Sequence, residues 1–167
     1  MTHRIKATDK AYLLRIITMH RGLHGDGCDL NHIDVSGVTD MSELFAHGEF
    51  NGEISSWDVS NVRNMSRMFL YSRFDGDISR WNTRTLENMS FMFCASVFND
   101  DISLWNTSNV KTMTRLFNDS EFNGDLSRWN ISSVLHMDHL FKNSKFTGDI
   151  SEWVITEKVT NSQIFNR

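Results

Sequence analysis

Phe50-Asn51-Gly52-Glu53-Ile54-Ser55-Ser56-Trp57-Asp58-Val59-Ser60-Asn61-Val62, followed in step by Met65 and Phe69, decides the fold, because nearly everything after it is a copy. From Trp57 onward, Trp returns at Trp81, Trp105, Trp129 and Trp153, 24 residues apart each time with no insertion. Met keeps the same frame at Met41, Met65, Met89, Met113 and Met137, and Phe fills two further columns, from Phe45 to Phe165 and from Phe50 to Phe146. A fixed period of this length marks a repeat protein: one small unit cannot bury its own apolar face and does so by stacking on its neighbours.

Inside one unit, Val62, Met65, Met68 and Phe69 are spaced three, three and one, which predicts a short helical turn. Ile78-Ser79-Arg80-Trp81-Asn82-Thr83 is rich in β-formers, follows the turn signal Asp75-Gly76-Asp77, and predicts a short strand. Stacking would lay these strands parallel and ~4.8 Å apart. Seven columns, those of Val62, Met65, Met68, Phe69, Phe74, Ile78 and Trp81, are the expected core, with the Trp and Met columns as its frame. The chain has no Pro, as stacked strands require, since Pro would remove a ladder hydrogen bond.

Outward from the repeats, Thr8 to Arg21 carries helix signals: Thr8 as cap, Asp9 in the positive first turn, Leu13, Leu14, Ile16 and Ile17 as an apolar side, and Gly22 as a stop. One helix beside a stack is expected to cover its open end, which would otherwise expose apolar side chains and unpaired edges. The expected organisation is therefore a capping helix and loop at 1–28, a partial first coil plus five coils at 29–157, and a C-terminal cap at 158–167 that includes Val159 and Phe165.

With 167 residues, 40% of them hydrophobic, the chain suits one domain with an ample core. A net charge of −4 argues against a general nucleic-acid binder, which needs a basic face to displace phosphate counterions. Cys28 and Cys94 are too few and too far apart for a disulfide framework and read as unpaired thiols. No stretch has the apolar length of a signal core or a membrane span, so a cytoplasmic protein is expected, or a cell-surface one if a leader has been removed.

The pattern Phe-Asn-Gly-Asp-Ile-Ser-x-Trp-Asn/Asp-x-Ser-Asn-Val-x-x-Met-x-x-Met/Leu-Phe, running from about Asp29 to Phe165, resembles the BspA-like repeat family, a mycoplasma-type surface-lipoprotein repeat related to leucine-rich repeats. The resemblance implies an α/β fold, a right-handed leucine-rich-repeat-like solenoid of 24-residue coils, and adhesion or protein binding as its use.

Columns that could carry chemistry read as structural. Glu53, Asp77, Asp101, Asp125 and Asp149 recur before the expected strand, where a carboxylate can accept from backbone N–H groups of its own turn; calcium between units is the sharper alternative. Gly52, Gly76, Gly124 and Gly148 suit a positive φ at that turn. The hydroxyl column Ser55, Ser79, Ser103, Ser127 and Ser151 has no His at a fixed offset, and catalysis needs one asymmetric site, so no catalytic residue and no enzyme activity is expected. His20, His24, Cys28 and His32 fall four apart, but Gly22, Gly25 and Gly27 interrupt a helix there. A zinc site would need the loop to fold back, so no metal or cofactor is expected. Asn64-Met65-Ser66, Asn88-Met89-Ser90, Asn106-Thr107-Ser108 and Asn130-Ile131-Ser132 match the glycosylation pattern as a by-product of the repeat.

Function belongs in the columns that vary. The place before Trp holds Ser56, Arg80, Leu104, Arg128 and Glu152, and the place two after Met holds Glu43, Arg67, Phe91, Arg115 and His139. Phe91 and Leu104 are apolar where other units are polar, with Arg67, Arg80, Arg115 and Arg128 in neighbouring units, the aromatic-plus-Arg composition of binding hot spots. These six residues are the expected partner-binding face of a non-catalytic scaffold, an intracellular inhibitor or adaptor, with a cell-surface adhesin as the alternative.

Overall fold

A computed structural model describes residues 5–156 together with Val159 and Ile164; Phe165 and most of the expected C-terminal cap lie outside the described residues. The chain enters through β1 (Ile5–Lys6) and continues into α1 (Lys10–His24). Asp9, not Thr8, is the N-cap: its extended backbone aims the carboxylate at the Tyr12 N–H, 2.9 Å away. Gly22 does not end the helix, because a helical glycine costs only about 1 kcal/mol against Ala. The stop comes at Gly25, whose φ of 80° frees its N–H to bond the Arg21 carbonyl. Leu13, Ile16 and Ile17 bury their side chains in the core, whereas Leu14 is left exposed. β1 pairs in parallel with β2 (Ile33–Asp34), Ile5 opposite Ile33 and Lys6 opposite Asp34, so the segment before the helix joins the first unit.

The unit itself contains neither the expected helix nor the expected strand. From Met65 to Ser72 every backbone N–H is accounted for in another way. Those of Met65, Arg67, Phe69 and Tyr71 cross to the carbonyls of Asn88, Ser90, Met92 and Cys94 in the next unit, at 2.9–3.0 Å. Those of Met68, Leu70 and Ser72 turn back three residues to Met65, Arg67 and Phe69, and that of Ser66 reaches the Asn64 side chain. The segment is thus a string of tight turns that also forms a parallel ladder, and parallel bridges join Asp40, Asn64, Asn88, Thr112 and His136 in succession. Three-residue turns bring Met65, Met68 and Tyr71-flanking positions round at nearly the helical period, which is why the spacing reads as a helix. A helix, however, would need those alternate N–H groups for itself.

Ile78–Thr83 fails as a strand for a similar reason. Asp77 captures the Ser79 N–H at 2.9 Å and Trp81 donates back to the Ile78 carbonyl at 3.2 Å, so the donors a strand would share are spent locally.

The core is built from the repeated columns. All seven positions of the unit at Val62–Trp81 are buried, as are their counterparts at Leu86–Trp105. Phe45, Phe69, Phe93, Phe117 and Phe141 stack ring on ring at 5.6–5.8 Å between centroids, and Phe50, Phe74, Phe98, Phe122 and Phe146 form a second column at 6.1–6.4 Å. Each buried Trp solves its one polar demand identically. The indole N–H of Trp81 donates to the Ile54 carbonyl of the preceding unit at 3.2 Å, and Trp57, Trp105, Trp129 and Trp153 repeat the bond at 3.0 Å.

The turn glycines are explained by space rather than by a positive φ, which among the described glycines belongs to Gly25 alone. A Cβ on Gly76 would stand 2.9 Å from the Phe74 ring, and one on Gly52 would strike the Cys28 carbonyl.

Candidate interaction face

Left-handed backbone defines the varied surface. Glu43, Arg67, Phe91, Arg115 and His139 all have φ between 53 and 63°, and His47, Tyr71, Ala95, Asp119 and Asn143, four places on, lie between 52 and 56°. These are the corners of the successive turns. The tight turn closed by Met68 N–H to Met65 carbonyl needs a positive φ at its third residue, Arg67, whatever the side chain there. Because that ladder fixes the backbone, side chains at these places are aimed in register along the stack.

At the centre Phe91 is half-buried between two guanidinium groups. Arg67 lies 5.3 Å from the ring centroid on one side and Arg115 5.7 Å on the other, within the range of cation–π attraction. Beyond Arg67 the column continues to Glu43, whose Oε1 is 3.4 Å from an Arg67 nitrogen. Arg115 has no carboxylate within 4 Å among the described residues. In the adjoining column the His47 and Tyr71 rings stack at 5.0 Å, and the Asn143 amide donates to Asp119 at 2.9 Å. Sequence reasoning passed over this second column, although its variation, His, Tyr, Ala, Asp, Asn, was the signal that picked out the first.

Three of the six expected face residues, Arg67, Phe91 and Arg115, are brought together. Leu104, 70% exposed, stands on the separate turn closed by Trp105 N–H to Ile102 carbonyl. Arg80 and Arg128 occupy the equivalent turns of the units on either side, where each acts on the acidic group of its own turn, Asp77 or Asp125.

Four members of the acidic column, those after Glu53, are held in their own turns. Asp77, Asp101, Asp125 and Asp149 each accept the N–H two residues on, from Ser79, Ser103, Ser127 and Ser151, at 2.8–2.9 Å. Hydrogen bonds from those serines hold all four carboxyls below their ordinary range; at Asp77 the Ser79 hydroxyl is the larger influence, at the others the amide. The Asn-x-Ser triplets have the same origin: Asn64, Asn88, Asn106 and Asn130 accept from the N–H of Ser66, Ser90, Ser108 and Ser132. Neighbouring Asn51, Asp75, Asn99 and Asn123 link units, each taking the N–H of the residue 24 places later.

Cys28 and Cys94 are free and buried; burial pushes both thiols up, Cys94 to about 11, so neither is an activated nucleophile. The loop after α1 does fold back, bringing His32 onto His20 with their Nε2 atoms 2.9 Å apart. No helix among the described residues is long and apolar enough to cross a membrane.

Fold and surface together define a tandem-repeat protein whose units are hydrogen-bonded to one another and whose turn corners carry varied side chains. The chain belongs to the family described as "Mycoplasma protein of unknown function, DUF285", which matches residues 16–100 and again 73–167. No curated protein and no solved structure is significantly similar to it.

Proposed function

We propose that the chain is a non-catalytic scaffold, a right-handed leucine-rich-repeat-like solenoid of the BspA-like kind, that binds a protein partner through the corner column centred on Phe91. The reading rests on one observation: Phe91, the aromatic exception in a polar column, is flanked on both sides by guanidinium groups, Arg67 and Arg115. A ring held this way presents its outer edge in a fixed orientation at low entropic cost, and each Arg keeps N–H donors for carboxylates around it. The partner is therefore expected to set an apolar group within an acidic rim. On a protein of net charge −4 such a basic patch also orients the encounter.

Immobilised wild type, Phe91→Ala and Arg115→Ala proteins should be compared for what they capture from the native cell extract. The expected result is a partner retained by wild type and weakened by about 1–3 kcal/mol in each variant, with the melt nearly unchanged. If Phe91→Ala instead lowers stability by the ~3–5 kcal/mol of a buried Phe, the ring belongs to the core and this face is abandoned. The BspA-like resemblance favours a second reading, a surface adhesin using the same face; labelling of intact cells with antibody to the chain separates it from an intracellular adaptor.

A further inference from the structure

We infer that His20 and His32 form a two-histidine site for a divalent transition metal of the zinc class, which staples α1 to the first repeat unit. His20 Nδ1 lies 3.0 Å from the Ile16 carbonyl, an acceptor only, so Nδ1 carries the proton and Nε2 presents its lone pair. A backbone carbonyl fixing the far nitrogen is the arrangement by which metal-ligating histidines are oriented. His32, beside β2, brings its own Nε2 to 2.9 Å from that lone pair, with the ring centroids 4.6 Å apart.

The two distances together show that the rings do not meet head-on. A straight N–H···N bond of this length would separate the centroids by ~5.2 Å, so the hydrogen bond between the rings is bent, and a metal that takes its place displaces the proton from His32 Nε2. Rings inclined equally toward a common point would have lone-pair axes that cross ~2 Å from each nitrogen, the length of a zinc–imidazole bond. His24, four residues after His20 on the same helix, has its ring 6.2 Å away and is exposed, so a side-chain rotation can add it as a third ligand. No group of three converges among the described residues as it stands, which makes His24 an auxiliary and leaves water to complete the shell. Arg21, next to His20 in the sequence, has its guanidinium bound to Asp26 at 2.6 Å.

Zinc chloride, with calcium chloride as control, should be titrated into the full chain while its melting temperature is followed. Zinc at a hundredfold excess over its dissociation constant should raise Tm by about 5–11 °C, reversibly with a chelator, and calcium should not. His20→Ala and His32→Ala should each abolish the shift, His24→Ala should reduce it, and His136→Ala should leave it intact. Ring-nitrogen NMR of the wild-type protein needs no variant: zinc should perturb Nε2 of His20 and His32 before any other histidine. A wild-type melt indifferent to zinc, a shift that survives His20→Ala, or NMR changes confined to other histidines would overturn the site.

Discussion

Arg115 holds a φ of 53° although nothing about Arg favours the left-handed region, and Phe91 does the same at 60°. The ladder on either side imposes it. Arg115→Val should therefore destabilise the fold by about 1–3 kcal/mol, because a β-branched side chain is poorest in that region, while Arg115→Gly stays within ~1 kcal/mol of wild type. Denaturant unfolding of the pair measures this, and equal losses would mean the corner is not strained. Among the candidate residues, the Phe91 cluster was legible because variation stood out against an invariant frame. The left-handed corner was not, since Glu, Arg, Phe and His carry no signal for it. The carboxylates of Asp77, Asp101, Asp125 and Asp149 make a second prediction. Their folded-state values lie below the unfolded ones, so their contribution is complete above about pH 4 and is lost as pH falls through the folded values. Replacing all four by Asn, which accepts in the same kind of turn at Asn64 and Asn88, should lower the melt at pH 7, where the ionised carboxylates contribute, and flatten its decline below pH 4.

Elements were the least legible scale. Periodicity finds which residues share a side, and turns of three residues produce nearly the same sharing as a helix, so Met65, Met68 and Phe69 were correctly placed in the core and wrongly placed in a helix. The β-forming residues of Ile78–Thr83 were overruled by Asp77 and Trp81, whose local bonds remove strand donors. The helix among the described residues was legible from its buried side, Leu13, Ile16 and Ile17, while its ends were misread, at Thr8 instead of the cap Asp9 and at Gly22 instead of the stop Gly25. The Trp column also binds one unit to the next. Trp105→Phe keeps most of the ring and removes one of the two donors to the buried Ile78 carbonyl, which retains the Trp81 N–H, and should cost about 0.5–1.5 kcal/mol in a chemical melt. A neutral result would mean that water replaces the bond.

At the scale of the molecule, ladder, aromatic columns, side-chain relays and Trp bonds all connect residues of adjacent units, 23 to 27 places apart. Stability in such an arrangement is a sum of unit and neighbour terms, and any one internal unit is dispensable provided the frame is kept. The period was legible in full, because no residue is gained or lost between Trp57 and Trp153. The ends were less so, since end units break the pattern that makes the middle readable. One comparison tests the stacking account directly: thermal unfolding, by circular dichroism, of a chain lacking 84–107, one whole period, against a chain lacking 84–95, half of one. The account predicts a cooperative melt for the first, whose columns rejoin in register, and no folded state for the second, whose Trp and Phe columns fall out of step. Equally cooperative melts from both, or none from either, would contradict it.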